Sequence, residues 1–167
     1  EDVNKTLIGR LSKADLQESR VIVGALIRRD AAEAAPDLLK TARNRELQDV
    51  SFAGLQSLAQ VEDVPAIIDL LAKSGNYGRV RTLLVALAQR CDAKKKDSEI
   101  LTANLDAGKD EAFRGAVLVT LGELGDDSSG LPALRKALDD NQDAIRRAAI
   151  GGLGRWPNAA PLPDLLR

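Results

Sequence analysis

Apolar residues along this chain come in helical steps, and the steps themselves recur. In VPAIIDLLAK, Ile67, Ile68, Leu70 and Leu71 fall at the spacings that line one helix face, and Val117, Leu121 and Leu124 do the same further on. Five leucines then occupy matching settings: Leu26 in GALIRR, Leu58 in QSLAQV, Leu87 in VALAQR, Leu121 in VTLGEL and Leu153 in IGGLGR. They stand 32, 29, 34 and 32 residues apart. A beat of that length is one helix–turn–helix unit, which buries its apolar face only by stacking on its neighbours.

Upstream of most anchors lies a second amphipathic run, opened by proline. Pro36 opens APDLLKTA, Pro65 opens VPAIIDLLAK, Pro132 opens LPALRKALDD, and Pro161 and Pro163 open APLPDLLR. Proline suits the first turn of a helix, where the N–H it lacks has no partner anyway. The one missing opener falls near SEILTANL, where Ser98 is the expected cap. Each unit therefore reads as helix A, a polar turn and helix B. The turns are RNRELQD, SGNYG, DAGKD and DNQD. Asp49, Asp110 and Asp143 stand just before B helices, where a carboxylate accepts a free N–H and meets the positive helix end. No segment reads as a strand, since the β-prone Val21-Ile22-Val23 sits inside a helical pattern.

The last B helix, DAIRRAAIGGLGRW, contains Gly151, Gly152 and Gly154. Each costs about 1 kcal/mol against alanine in a helix interior. Gly54, Gly122, Gly152 and Gly154 lie at or beside one phase of the repeat, which predicts close approach of neighbouring B helices. Gly75 and Gly125, each before polar residues, read instead as helix terminators.

These B helices resemble HEAT repeats. The hallmark is valine-arginine, two residues, alanine, two residues, then alanine-leucine-glycine. It stands as AIRRAAIGGLG at 144–154 and AFRGAVLVTLGELG at 112–125, and in weaker form as VSFAGLQSLAQ at 50–60. GRVRTLLVALAQ at 78–89 keeps the valine-arginine pair one residue out of phase, and SRVIVGALIRR at 19–29 matches least. The resemblance is to the short bacterial HEAT-like repeats related to those of phycobilin lyases, and it is strongest from about residue 62 onward. It implies an all-α fold, a right-handed α-solenoid. The expected units are 1–30, 31–61, 62–91, 92–125 and 126–157, forming a single repeat domain, with 158–167 as the first helix of a sixth. That unfinished unit, and the lack of methionine even at position 1, lead us to expect a segment of a longer protein.

Composition narrows the chemistry. The chain has no histidine and one cysteine, so histidine-based triads, general bases and metal sites are excluded, as is an intrachain disulfide. Cys91, at the end of a B helix, reads as a small core residue. GELGDDSSG at 122–130 is an inter-repeat turn rather than a phosphate loop, and Asp126 and Asp127 match a helix end. Aromatics make up 2% and the formal net charge is −1, which does not suit a nucleic-acid binder. Lys94-Lys95-Lys96 reads as a solvated loop between units three and four. Apolar runs are too short to span a membrane, and no signal segment opens the sequence. No cofactor or metal is implied, and the compartment and oligomeric state stay open.

The B-helix arginines are the remaining candidates. Arg81, Arg114 and Arg146 occupy the second hallmark position, where the resemblance implies pairing with turn aspartates in a structural ladder. The ladder would join adjacent units, and Asp110 and Asp143 are suitable partners in it. A second set is expected on the open concave side: Arg20, Arg28, Gln56, Gln60, Arg81 and Gln89, then Glu123, Arg147 and Arg155, interleaved with Phe52, Val85 and Val119. A polar ridge with apolar spots is what a peptide groove needs. Trp156 is expected in the packing. The leading function is a non-catalytic protein-interaction or scaffolding module with a protein or peptide partner. The resemblance also admits a bilin-lyase-like chromophore chaperone or enzyme, and a HEAT-like DNA-alkylation glycosylase. Scarce aromatics count against both.

Overall fold

The computed structural model describes residues 2–105 and 110–166. Among these the secondary structure is helical throughout, with no strand: α1 (Val3–Leu11), α2 (Leu16–Arg28), α3 (Ala35–Thr41), α4 (Gln48–Leu58), α5 (Val64–Ser74), α6 (Tyr77–Arg90), α7 (Lys94–Asn104), α8 (Glu111–Leu124), α9 (Gly130–Leu138), α10 (Asp143–Leu153) and α11 (Leu162–Leu165). Short 3-10 turns, Ala32–Ala34 and Val61–Asp63, lead into α3 and α5.

The chain divides into two units, Glu1–Leu70 and Leu71–Arg167, with the division falling inside α5. In the first, α2 packs on α4, α1 packs on both α2 and α3, and α3 packs on α4. In the second, α8 touches both α6 and α10, while α7 packs on α9; α7 and α9 each pack against the even-numbered helix on either side. Each unit therefore has two rows of helices, odd-numbered in one and even-numbered in the other. This is how an α-solenoid packs. The five anchor leucines, Leu26, Leu58, Leu87, Leu121 and Leu153, are all buried on the even row. Each contributes about 1.5–3 kcal/mol by leaving water.

Local chemistry sets the helix ends. Pro36, Pro65, Pro132 and Pro163 lie in first turns, and Pro161 is the N-cap of α11. Asp110 caps α8, accepting from the Phe113 N–H at 2.7 Å. Asp49 sits two positions and Asp143 one position past the N-cap, inside the first turns of α4 and α10. Asp2 and Asp15, not singled out from the sequence, cap α1 and α2. Of the turn DAGKD, residues 106–109 lie outside the described residues.

Residues Lys94 to Lys96 do not form a loop: they are the first turn of α7. Lysine favours helix, and the reversal is made earlier, by Asp92 in the left-handed region (φ 49°). Asp30 turns the chain in the same way after α2 (φ 50°), and Gly125 after α8 (φ 64°). Because α7 starts so early, Ser98 lies buried inside it and does not cap it. Cys91 caps α6 and is half-buried rather than core. Trp156 is buried, its ring 3.5 Å from where a side chain on Gly130 would begin.

The glycines of α10 divide by role. A Cβ on Gly122 would lie 2.6 Å from both Cα and the carbonyl carbon of Gly152, and one on Gly152 would lie 2.7 Å from the Leu118 oxygen. Here α8 and α10 meet backbone to backbone. Gly154 does not belong with them: it is the C-cap of α10, and its nearest neighbour is that helix's own Ile150 oxygen. At Gly151 a Cβ would meet only Arg155 Nη1, at 3.5 Å. Gly151→Ala is therefore expected to stabilise the protein by up to about 1 kcal/mol, the helix-propensity difference, measured by urea unfolding.

Candidate functional site: the B-helix face

The even-numbered helices are the B helices, and the residues two positions beyond each anchor leucine form a set: Arg28, Gln60, Gln89, Glu123 and Arg155. Their fates differ between the two units.

In the second unit the charges close on one another. Glu123 on α8 receives Arg81 of α6 on one carboxylate oxygen (3.3 Å) and Arg155, just past α10, on the other (3.4 Å). Arg81 Nε makes no hydrogen bond, so this contact is one of charge. Arg155 also donates to the Gly151 carbonyl at 2.8 Å. Glu123 thus ties three consecutive B helices together. Val85 and Val119 are half-exposed on the same two helices that carry Arg81 and Glu123. Gln89 is exposed, and Arg147 pairs with Asp143 one turn away on α10 at 2.7 Å. Glu123→Ala is expected to cost about 1 kcal/mol, a modest value because the glutamate is 26% exposed and screened. Unfolding of wild type and variant at low and high salt checks this, since the difference should shrink in salt.

The expected arginine–aspartate ladder forms with different partners. Arg114 reaches across to Asp140 in the turn after α9 (2.6 Å) and to Gln142 (3.1 Å), not to Asp110, which is occupied as a cap. Arg146 does pair with Asp143, but within its own helix, and also donates to the Asp140 carbonyl at 2.8 Å. The Gln142 N–H and the Arg114 guanidinium hold the Asp140 carboxyl below the usual carboxylate range. For Asp126 burial pushes upward, but the hydroxyl and N–H of Ser129, with Ser128 and the Gly130 N–H, outweigh it and hold the carboxyl low. That aspartate thereby organises the start of α9. Beside the Arg114–Asp140 pair, a cleft of about 390 Å³ runs between α7, α8 and α9, with Leu105, Leu118, Ala133 and Ala137 in its lining. Its charged rim, Arg114 and Lys136 against Asp139 and Asp140, is balanced.

In the first unit the same face is built differently. Phe52 is not part of an open face; it is 5% exposed and belongs to the core. Gln60 is not free either. It caps the 3-10 turn Val61–Asp63 in a reciprocal capping box, its own N–H bonded to Asp63 at 2.8 Å. Gln56, Arg20 and Arg28 are exposed. Neither arginine has an ion pair or hydrogen bond among the described residues. The four aromatic residues are all withdrawn: Phe52, Phe113 and Trp156 are buried and Tyr77 is half-buried, leaving no exposed ring for stacking a base or a planar chromophore.

No helix among the described residues is long and apolar enough to cross a membrane. A family model described as HEAT repeats matches residues 98–167. No curated protein matches the chain. With α7 to α10 packed as two rows of helices and Gly122 and Gly152 bringing two B helices into backbone contact, residues 98–167 are similar to HEAT repeats in packing as well as in sequence.

Proposed function

We propose that this protein is a non-catalytic interaction module that holds a protein or peptide partner on its B-helix face. HEAT repeats generally mediate protein–protein interaction. The observation that carries the reading is the face of α6 and α8. There Val85 and Val119 are half-exposed, and a glutamate held by two arginines, Arg81–Glu123–Arg155, fixes the polar groups around them. Preformed apolar spots framed by ordered polar side chains suit recognition with little loss of side-chain entropy.

A photo-crosslinking amino acid placed at Val85 or Val119, compared with one at Glu99 of α7 or Lys136 of α9, tests this in an extract of the source organism. Adducts of defined mass are expected from the B-row positions. Adducts from the A-row positions alone would reverse the assignment of the binding face.

A further inference from the structure

The B-helix arginines among the described residues are Arg20 and Arg28 on α2, Arg79, Arg81 and Arg90 on α6, Arg114 on α8, and Arg146 and Arg147 on α10. Arg81, Arg114, Arg146 and Arg147 have carboxylate partners, and Arg79 and Arg90 each take part in an interaction. Arg20 and Arg28 have none. The reason lies in the repeat register. The row that supplies Glu123 to Arg155 in the second unit has Gln60 as the next position after Arg28 in the repeat register, and that glutamine is committed to its capping box. The row of Arg20 supplies Phe52, which is in the core.

Arg20 and Arg28 flank the stretch of α2 that holds Val21 and Gly24. They stand eight residues apart on one helix, about 12 Å along its axis. Gly24 lies midway, where an added Cβ would meet nothing but Arg28 Nη1, at 3.6 Å. Beside it the apolar side chain of Val21 is 70% exposed. Gln56 of α4, on the helix packed against α2, is exposed.

From this charge pattern we infer that α2 docks an acidic, extended peptide segment of a partner, with carboxylates on Arg20 and Arg28 and an apolar side chain between them over Gly24 and Val21. In an extended chain alternate side chains share one side and rise about 3.3 Å per residue. Residues i and i+4 therefore stand about 13 Å apart, matching the two arginines, and residue i+2 faces the glycine. Arginine offers a planar fork for each carboxylate. The inference rests on the B-helix-face reading and names the chemistry of its partner.

The test is fluorescence anisotropy with a labelled peptide carrying Asp-Ser-Leu-Ser-Asp and its Lys-Ser-Leu-Ser-Lys counterpart. The proteins are the full chain, an Arg20→Glu/Arg28→Glu variant, a milder Arg20→Gln/Arg28→Gln variant in case reversal disturbs folding, and a Val85→Glu/Val119→Glu variant. Helicity by circular dichroism confirms that each is folded. The acidic peptide is expected to bind, to weaken at least tenfold with either arginine variant and with added salt, and to weaken less with the valine pair than with either arginine variant; the basic peptide should not bind. Binding that survives both arginine variants but is lost with the valine pair overturns the α2 site and leaves the B-helix-face reading standing. Equal binding of the two peptides, or none of the acidic one, overturns the α2 site, while the crosslinking comparison judges the broader reading independently.

Discussion

Gly122→Ala is expected to destabilise the second unit by about 2–3 kcal/mol, although alanine is the better helix former by about 1 kcal/mol. The new methyl would stand 2.6 Å from Cα and the carbonyl carbon of Gly152, and closer still to its oxygen. These are backbone atoms, so no rotamer change relieves the clash. The helices themselves must part, and that separation would loosen Leu118, Leu121 and Leu153, all buried on α8 and α10. Gly152→Ala meets the reciprocal obstacle, Leu118 oxygen and Leu134 Cδ2 both at 2.7 Å, and should cost a similar amount. Gly54→Ala is the informative contrast. Its nearest neighbours are Leu38 Cδ1 at 2.9 Å and Val23 Cγ1 at 3.0 Å, the ends of side chains, so its loss should be smaller. Urea unfolding of the three variants beside Gly151→Ala checks the ordering. A Gly122→Ala protein as stable as wild type would mean that α8 and α10 do not approach this closely.

The glycine question also shows where sequence reasoning succeeds. A leucine beat near 32 residues, with proline one helix upstream, was enough to define the helix pairs, because burial of one face per helix is a periodic requirement. It correctly marked Gly122 and Gly152 as contact glycines and Gly125 as a terminator. It failed at Gly154, because a packing glycine and a capping glycine two residues apart look alike in sequence. It failed at Phe52 because a residue on the flank of an apolar stripe is core or surface according to which neighbour packs there. The Lys94–Lys96 stretch is helix rather than the loop its charge suggests, because lysine is a good helix former and charge alone does not mark a linker. The link between Arg81, Glu123 and Arg155 joins residues on α6, on α8 and just past α10, so no local spacing announces it. Aligning the anchors would have placed Glu123 and Arg155 at one level, and the same alignment explains why Arg28 has no counter-charge.

The misplaced start of α7 has an energetic consequence at Asp97. Both oxygens of this fully buried carboxyl lack a hydrogen-bond partner, and Ser98 and Thr102 on the same helix have unpartnered hydroxyls. Burial raises the Asp97 pKa from 3.8 to about 6, with neighbouring Lys96 pulling the other way. The folded protein therefore holds a proton that the unfolded chain releases. Below pH 3.8 both states are protonated and Asp97 has no pH-linked effect. As pH rises from about 4 to about 6, stability should fall, because the unfolded state alone gains by ionising. Above that window the penalty is complete, about 3 kcal/mol for a shift of this size. Asp126 and Asp140 act in the opposite sense and elsewhere: their lowered values contribute stability that is lost only as pH falls below the ordinary carboxylate range. Asp97→Asn nearly copies the protonated acid in shape and cannot ionise. Its advantage over wild type should be near zero at pH 4, grow through pH 6 and reach about 2–3 kcal/mol at pH 8, read from urea unfolding at each pH. Wild type and variant running parallel across this range would show that Asp97 is ionised and satisfied in the folded protein, and that α7 does not bury it.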